Sequence, residues 1–423
     1  PGQLLPLGLQ HVVAAVVGVI TPAILVADTC GLSSADKTLM IQVSLILTAL
    51  ATLLQLFPIF HRIGSGLPVI MGISFAYIPT LQAIGGEFGL PTILGAEIVG
   101  GIVAIVFGVL VKWIRPLFPP LVTGTVIFTI GLSLYPTAVK YMAGGAGSEW
   151  FGSAKSWAVA LITLAVVVFL NHFTKGITKL ASILIGILAG YVIAYFLGIV
   201  DLSGVGSAAW VALPRPMPFD IQFVPAACVS LGIVYVVNAV QTIGDLSSTT
   251  MGGMDRMPTD KELSGGIVGQ GVMSILGAFF GGLPAATYSQ NVGIVTVNRV
   301  INRAVFALAA LILLVAGLVP KFASLLTTIP QCVIGGATIS VFATITMTGI
   351  RMITEGGFTP RKSSVVGLSV ALGVGITQVS GCLAGEGFPA WVNTVFGSSS
   401  VVVAALMAIL LNLILPKEPS ANG

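Results

Sequence analysis

The chain has 423 residues, of which 56% are hydrophobic and only 8% are charged. A soluble domain carries roughly 25% charged residues, so this chain cannot cover the surface of a soluble fold of its length. The composition excludes a cytosolic enzyme, a nucleic-acid-binding protein and a disordered scaffold. The formal net charge of +4 is dispersed, and no polybasic segment indicates an anionic partner. We therefore predict an all-α polytopic membrane protein whose main partner is the lipid bilayer.

Apolar stretches of membrane-spanning length recur along the whole chain. A bilayer core of ~30 Å requires about 20 apolar residues per helix. The stretches that meet this criterion are Leu4–Ala27, Thr38–Phe60, Leu90–Ile114, Phe118–Met142, Trp157–Phe173, Leu180–Val200, Cys228–Gly253, Leu263–Gly282, Arg303–Ile329, Gln331–Ile353, Ser363–Ser380 and Ser400–Pro416. Two more, Val69–Gly86 and Ala285–Val300, are apolar but interrupted by Gly, Pro and polar residues. Counting both kinds predicts fourteen transmembrane segments.

The two interrupted stretches indicate an internal duplication. Each follows the same tripeptide, Gly66-Leu67-Pro68 in one case and Gly282-Leu283-Pro284 in the other, about half of the chain apart. Seven spans per copy is an odd number, so the second copy must be inverted in the membrane. Paired interrupted segments in two halves indicate a transporter's binding site, because their free backbone groups cannot face lipid. We expect half-helices and short strands in spans 3 and 10.

The distribution of basic residues predicts the orientation. With the N-terminus in the cytoplasm, thirteen of the 18 Lys and Arg residues lie on the inner side and five on the outer side. This predicts a multi-pass protein of the plasma (bacterial inner) membrane with both termini in the cytoplasm. The cysteines form no CxxC pair and the histidines lack metal-ligand spacing, so we expect no metal and no organic cofactor.

Asp245 is the acidic residue that lies deepest within a predicted span. A carboxylate at that depth costs several kcal/mol by most estimates, so it has a partner or a task. Gln241 precedes it by one helical turn and shares its face. We predict Gln241 as a substrate ligand and Asp245 as the proton carrier; the alternative is a helix-packing carboxylate bonded to hydroxyls. Glu97, near the outer end of its span, is expected at the interface or in helix packing.

The second interrupted stretch begins with several polar side chains. Tyr288, Ser289, Gln290 and Asn291 place a hydroxyl and two amides at the start of a half-helix. A primary amide both donates and accepts, and free N–H groups at a helix start favour carbonyl oxygens. Phe75, at the matching place in the first half, offers a ring for stacking. These groups predict a pocket for a planar heterocyclic base.

These motifs resemble the nucleobase–ascorbate transporter family, also called nucleobase–cation symporter-2. The run Gln290-Asn291-x-Gly293-x-x-x-x-Asn298-Arg299 is similar to the signature of that family. The Gln10-His11 pair, the Ser74-Phe75-Ala76 run and Gly244-Asp245 are similar as well. The resemblance covers nearly the whole chain. Gln in the first signature position resembles the purine members, whereas uracil carriers tend to have Glu there and ascorbate carriers Pro.

The resemblance implies a 7+7 inverted repeat with a moving core and a gate. The core would comprise residues 1–115 (spans 1–4) and 223–329 (spans 8–11), and the gate residues 116–222 (spans 5–7) and 330–423 (spans 12–14). The gate would form a homodimer interface. By resemblance, Gln290 bonds the base edge, Phe75 stacks on the base and Ser289 contributes its backbone. The full predicted set is Phe75, Gln241, Tyr288, Ser289 and Gln290 for substrate, Asp245 for the proton, and Gln10, His11, Ser74, Ala76 and Asn291 as support.

Three positions depart from the family pattern. Gln241 and Gln270 stand where the family usually has Glu and Asp, and Asn298 stands where the signature has Thr. An amide binds a base edge but does not titrate, which leaves Asp245 as the carboxylate expected near the pocket. If the site binds Na⁺ instead, Asp245 with Ser247 and Thr249 would supply the oxygens.

The sequence therefore predicts a symporter that imports purine bases such as xanthine, hypoxanthine, guanine or urate with H⁺, by elevator-type alternating access. The alternatives are a Na⁺-coupled nucleobase carrier, a uracil carrier, and an anion transporter of the same inverted-repeat fold, which would need a basic residue in the pocket. An intramembrane enzyme would need a Ser-His, Asp-Asp or metal constellation. The sequence offers none, so we expect no enzyme.

Overall fold

The computed structural model describes residues 4–417, apart from the side chains of residues 296–298. In this part the chain forms helices, joined by turns and by longer loops such as that between Phe196 and Pro225, and two strands. The helices are α1 Leu4–Thr29, α2 Ser34–Leu56, α3 Ile78–Phe88, α4 Leu90–Val109, α5 Val111–Ile114, α6 Pro120–Met142, α7 Ala154–Phe173, α8 Ile177–Leu180, α9 Ser182–Phe196, α10 Pro225–Met254, α11 Asp260–Phe280, α12 Ser289–Asn298, α13 Arg303–Gly317, α14 Pro320–Thr327, α15 Gln331–Thr354, α16 Pro360–Gln378, α17 Ala390–Val392 and α18 Ser400–Ile414. The strands are β1 Met71–Ile73 and β2 Ala285–Thr287.

The fold is that of a polytopic helical membrane protein, as the composition predicts. Within residues 4–417, eight helices are long and apolar enough to cross a bilayer. Two bent pairs, α13 with α14 and residues 390–397 with α18, bring the number to ten if each pair is one span. The fourteen spans remain a prediction.

One span predicted as continuous is bent. The stretch Arg303–Ile329 divides into α13 and α14, which meet at 78°. Pro320 begins α14, and because proline lacks an N–H and restricts the residue before it, the helix cannot run through this point. The stretch is apolar enough overall to be one span, so hydropathy alone did not indicate the bend; Gly317 and Pro320 are the signals in the sequence that could have done so.

Other predicted spans differ from the helices at their ends. The predicted Thr38–Phe60 is helical only to Leu56, because Pro58 and the turn after it follow. The predicted Leu90–Ile114 breaks at Leu110 between α4 and α5. Hydropathy is the same for an apolar residue in a turn as in a helix. A hydropathy pattern therefore does not show where the helix ends, which explains both wrong boundaries.

The two interrupted segments meet at a small antiparallel sheet. Gly72 of β1 pairs with Ala286 of β2. Side chains of neighbouring helices complete the backbone bonding: Thr52 Oγ1 accepts from Met71 N at 3.0 Å, and Ser274 Oγ accepts from Ala285 N at 3.0 Å. The irregular backbone is therefore bonded inside the protein, as required within a membrane.

A short helix follows each strand and sets the direction of the next side chains. Ser74 follows β1, and its Oγ accepts a hydrogen bond from Ala76 N at 3.1 Å, which begins the turn leading into α3. Tyr288 follows β2, and α12 begins at Ser289. Because the strands are antiparallel, the strand-to-helix junctions at residues 74–76 and 288–290 lie at opposite ends of the small sheet.

The helices pack in two groups. Helices α1–α4 and α10–α14 pack mainly on one another, and α6, α7, α9, α15, α16 and α18 do the same. Small residues allow close helix approach in both groups: a Cβ at Gly101 would lie 2.8 Å from Gly271 O, and one at Gly349 2.4 Å from Phe128 N. The two strand-to-helix junctions lie where the groups meet.

Candidate functional site

A cavity of about 90 Å³ lies between the strand-to-helix junctions, α10 and the facing helices α6 and α15. It is lined by Ser74, Phe75, Ala76, Ile127, Ile130, Gln241, Thr287, Tyr288, Ser289, Gln290, Val341 and Ile345. One wall is polar and comes from the junctions and α10; the opposite wall is aliphatic and comes from α6 and α15. We refer to it as the junction cavity. Such a mixture of apolar walls with few polar groups is typical of small-molecule sites.

Sequence reasoning missed the aliphatic wall. Ile127 and Ile130 are three residues apart on α6, and Val341 and Ile345 four apart on α15, so each pair shares one helix face. In a membrane protein the same spacing describes a lipid-facing stripe. The sequence alone therefore could not distinguish these residues from the lipid-exposed surface.

Gln290 and Tyr288 are held by the second junction. Gln290 is exposed to the cavity, and its Oε1 lies 3.4 Å from the Tyr288 hydroxyl, which donates to it. The Tyr288 ring is buried against α1, where a Cβ on Gly18 would lie 1.8 Å from the tyrosine oxygen. The absence of a side chain at Gly18 therefore makes the position of Tyr288 possible.

Gln241 faces the cavity from α10. Its Oε1 lies 3.4 Å from Asn238 Nδ2, which donates to it one turn earlier on the same helix. This long bond orients the Gln241 amide on the wall that also presents Gln290. The cavity thus presents two primary amides, both from the second half of the chain.

Phe75 presents an aromatic ring from the first junction. The ring is 6% exposed and packs edge-on against Phe342 of α15, with 5.4 Å between the ring centroids. Contact with Phe342 fixes the ring orientation, so one face is available to a planar molecule in the cavity.

Asp245 lies behind the cavity wall rather than in it. Its Oδ2 accepts hydrogen bonds from Thr287 Oγ1 at 2.6 Å and from Ser289 Oγ at 3.0 Å, and the Ser289 hydroxyl is also 2.8 Å from Oδ1. Both hydroxyl residues line the cavity. The hydroxyl groups of Thr287 and Ser289 therefore connect Asp245 to the cavity. Thr287 is a site residue that sequence reasoning missed.

Thr249, one of the residues expected to bind Na⁺, bonds within its own helix. Thr249 Oγ1 donates to the Asp245 backbone carbonyl at 2.9 Å, and the Asp245 carboxylate turns toward β2 and α12. Among the described residues, no group of three or more His, Cys, Asp or Glu side chains forms a metal-binding cluster.

A polar chain continues from Thr287 into the interior. Thr287 Oγ1 lies 3.4 Å from Thr242 Oγ1, and Thr242 Oγ1 donates to Gln270 Oε1 at 2.6 Å. The fully buried Gln270 donates from Nε2 to Asn238 Oδ1 at 2.5 Å and to Tyr77 Oη at 3.4 Å. Gln270 therefore holds α10, α11 and the first junction together.

His11 and Asn291 meet behind the second junction. Asn291 Nδ2 lies 3.0 Å from His11 Nδ1 and donates to the His11 backbone carbonyl at 3.0 Å. The imidazole also packs on Phe306 of α13, with 4.5 Å between the centroids. The pair connects α1 to α12 and lies outside the cavity lining. Asn298, the signature departure, lies outside the residues whose side chains the structure describes.

A larger cavity of about 1030 Å³ adjoins the site, and Gln290 lines both. Gln10 and residues of α7, α9, α12 and α15 line it as well, and Lys179 and Arg351 lie toward its other end. We refer to it as the vestibule. It connects Gln290 with the face of the protein at which α15 ends.

The opposite face is closed by polar contacts between the two helix groups. Asp28, near the end of α1, accepts hydrogen bonds from Tyr141 Oη at 2.8 Å and Gln331 Nε2 at 2.7 Å, and it also pairs with Lys37. Deeper in, Thr80 and Ser399 share a hydrogen bond of 2.7 Å. The junction cavity is therefore reached from the vestibule side.

Glu97, expected at the interface or in helix packing, is buried inside the protein. Its side chain is 0% exposed, two turns into α4, because α10 and α11 cover that face of the helix. Helix packing, the other expected position, agrees with the structure.

Three comparisons relate this geometry to known proteins. The family model described as "Permease family" (Xan_ur_permease) matches residues 2–381. The chain belongs to this permease family. The permease is 35% identical to the xanthine permease of Bacillus subtilis over 98% of this chain and 94% of the relative. It is 35% identical to the uric acid permease PucK of the same organism (99% and 97% covered), and 34% to a putative purine permease of Clostridium perfringens (98% and 90%).

These relatives bear out the resemblance drawn from the motifs, and they are named permeases rather than enzymes. Two solved structures share the fold. The transmembrane domain of the cyanobacterial bicarbonate transporter BicA has a TM-score of 0.59 at 17% identity, with 96% of the permease and 97% of that chain covered. Murine Slc26a9, an anion transporter in the inward-facing state, has a TM-score of 0.65 at 11% identity, with 97% and 68% covered.

Proposed function

We propose that the permease is a secondary active transporter that imports purine bases together with protons. The observation that carries this proposal is the junction cavity, where Gln241, Gln290 and Phe75 face one small space. Xanthine, hypoxanthine, guanine and urate are the substrates we expect. The names of the relatives, which include xanthine, uric acid and purine permeases, support this choice.

The chemistry of the cavity suits a flat heterocycle. A purine edge alternates N–H, C=O and ring nitrogen, and a primary amide can donate and accept along such an edge. Gln241 and Gln290 would bind two edges while Phe75 covers one face and the aliphatic wall of α6 and α15 the other. Displacing water from this wall adds the apolar contribution to binding.

Proton coupling is assigned to Asp245. Protonation would change the hydrogen bonds that Thr287 and Ser289 make to its carboxylate, and both residues line the cavity. Purine affinity should then fall as the pH rises and Asp245 loses its proton. One charge moving down ~100 mV supplies ~2.3 kcal/mol, roughly a 50-fold substrate gradient, which is adequate for scavenging.

Transport would proceed by movement of one helix group against the other. The core (residues 1–115 and 223–329) carries Phe75, Gln241 and Gln290, and the gate (116–222 and 330–423) supplies the aliphatic wall. With the vestibule open and the Asp28 face closed, the structure is consistent with an inward-facing state. We propose residence in the bacterial inner membrane with both termini in the cytoplasm, and a homodimer through the gate.

The coupling assignment is tested with the reconstituted protein in proteoliposomes. Wild type should accumulate labelled xanthine when a proton gradient is imposed, and Asp245→Asn should lose accumulation. Asp201→Asn, in an exposed loop, is the matched control and should behave as wild type. If Asp245→Asn still accumulates xanthine with an unchanged pH dependence, the proton assignment is wrong.

The substrate class is tested by ligand-induced thermal shifts in detergent. Purines, uracil, ascorbate and inorganic anions are compared at two pH values, with and without Na⁺. Purines should stabilise the protein most. An anion carrier would require a basic group in the cavity, and its described lining contains none. Stabilisation by bicarbonate or sulfate but not by purines would contradict the proposal.

A further inference from the structure

Among Asp and Glu residues in the described part of the chain, only Asp245 and Glu97 are buried. The two carboxyl groups have opposite surroundings. Asp245 accepts hydrogen bonds from Thr287 and Ser289, whereas neither oxygen of Glu97 has a hydrogen-bond partner within residues 4–417. Hydroxyl donors stabilise a carboxylate, and a buried charge without donor or counter-ion is strongly disfavoured. The surroundings of Asp245 therefore favour a carboxylate more than those of Glu97, which favour the neutral acid.

The groups that face Glu97 are two phenols. Tyr77, from the first junction, and Tyr235, on α10, both lie within electrostatic range of the carboxyl group, and their ring centroids are 4.9 Å apart. Helices α4 and α10 contain no Lys, Arg or His, and the charged residues of α11 lie in its first turn, at its other end. Glu97 makes none of the ion pairs found in the described part of the chain. No cation therefore holds Glu97 in its charged form.

Glu97 is placed against the two helices that carry the polar chain of the site. It shares a face of α4 with Gly100 and Gly101, which pack on Tyr235 and on Gly271 of α11. A Cβ at Gly277 of α11 would lie 3.5 Å from Glu97 Oε1. Gly277 follows Gln270 by two helical turns, so Glu97 lies beyond Gln270 as seen from the junction cavity.

Tyr77 connects this carboxyl group to the site. Its hydroxyl accepts a hydrogen bond from Gln270 Nε2 at 3.4 Å, and Gln270 Oε1 accepts from Thr242 at 2.6 Å. Thr242 in turn lies 3.4 Å from Thr287, the donor to Asp245. A charge on Glu97 would draw the Tyr77 hydroxyl toward it, and Gln270 and Thr242 would adjust. A change in the protonation state of Glu97 would therefore alter the hydrogen bonds that reach the cavity.

Glu97 is also nearer than Asp245 to the closed face of the protein. It lies two turns from the start of α4. The preceding helix, α3, is bonded to that face from its middle, where Gln82 Nε2 donates to Thr29, next to Asp28. Asp245 lies two-thirds of the way along α10, next to the junction that borders the vestibule. The two carboxyl groups are thus set toward opposite sides of the membrane.

We propose that Glu97 is a second proton-binding group of the transport cycle, loaded from the face at which α4 begins. One proton from water on that face adds to the carboxylate to give the neutral acid. The same proton returns to water when the surroundings of Glu97 open later in the cycle, and no other bond changes. This inference rests on the proposed function, because it assigns a residue to the coupling of purine and proton transport.

The test compares two assays on the reconstituted protein. Counterflow, with unlabelled xanthine inside and labelled xanthine outside, needs no net proton movement, whereas accumulation under an imposed proton gradient does. Glu97→Gln should retain counterflow and lose accumulation, so that the inside-to-outside ratio falls to unity. Glu149→Gln, at an exposed loop position, is the matched control and should retain both. Accumulation by Glu97→Gln at the wild-type ratio would overturn the inference, since a permanently neutral packing group tolerates this change.

The outcome separates this inference from the proposed function. Absence of xanthine counterflow in wild type would contradict purine transport itself, independently of Glu97. If Glu97→Gln does not fold, infrared titration of Asp245→Asn decides, because Glu97 is then the buried carboxyl group that remains among the described residues. A protonated-carboxyl C=O band that disappears at alkaline pH supports the inference. A band that is absent, or that persists at all pH values, overturns it.

Discussion

The Thr287 hydroxyl donates a hydrogen bond of 2.6 Å to Asp245 Oδ2 and at the same time lines the junction cavity. This bond joins β2 to the middle of α10, so the carboxylate and the substrate site share one side chain. We expect Thr287→Val, which keeps the shape and removes the donor, to destabilise the protein. Removing one bond to a buried charged group costs about 1.5–3 kcal/mol. The loss would be measured as a lower melting temperature in detergent.

Thr287→Ser is the control for that prediction, because it keeps the hydroxyl group and removes a methyl. It should retain most of the stability and the pH dependence of xanthine uptake. If Thr287→Val is as stable as wild type, the bond to Asp245 is not a major contributor.

Gln290 should determine purine affinity. Gln290→Ala removes the amide from the cavity but leaves α12 intact, because Ala is a strong helix former. Loss of two hydrogen bonds at about 0.5–1.5 kcal/mol each corresponds to a roughly 5- to 150-fold weaker Kd for xanthine. Binding would be measured by calorimetry in detergent. Gln378→Ala, at the exposed end of α16, should bind xanthine as wild type does.

The sequence predicted the polar side of the site because its features are local. The repeated Gly-Leu-Pro tripeptide and the polar residues after it identified both strand-to-helix junctions, and seven of the eleven predicted site residues line the junction cavity. His11 and Asn291 were expected to support the site, and the structure brings them together behind it. The roles of these residues remain predictions.

The features that the sequence did not predict depend on how the helices pack against one another. The sequence left two positions open for Glu97, the interface and helix packing, because a linear pattern reports only its distance from the helix end. Its burial comes from close packing at Gly101 and Gly271. Thr287 lacked any local signal, since its partner Asp245 is 42 residues away in the sequence. The bend before Pro320 was missed because hydropathy was used alone, although Gly317 and Pro320 could have indicated it.

Gly18 should be essential for the shape of the site. A Cβ at this position would lie 1.8 Å from the Tyr288 oxygen, so Gly18→Ala forces the tyrosine or α1 to move. We expect weaker xanthine binding and a lower melting temperature, since overpacking costs about 1–3 kcal/mol. Gly367→Ala on α16, where no heavy atom lies within 4 Å of a built Cβ, is the control and should change neither. Unchanged binding by Gly18→Ala would show that Tyr288 does not shape the cavity.

Asp28 should govern opening of the face opposite the vestibule. It accepts hydrogen bonds from Tyr141 and Gln331, which belong to the other helix group, so these bonds must break before that face opens. Asp28→Asn weakens both bonds and should shift the population toward the outward-open state.

A cysteine that replaces Thr80, which is 0% exposed, reports the shift. A membrane-impermeant maleimide added on the Asp28 face should label this cysteine faster when Asp28→Asn is also present. Cysteine at Thr344, which lines the vestibule, should change in the opposite sense when labelled from the vestibule face. If both labelling rates rise together, Asp28→Asn has loosened the fold rather than shifted the population between two states. Asp28 is then a packing residue and does not hold that face closed.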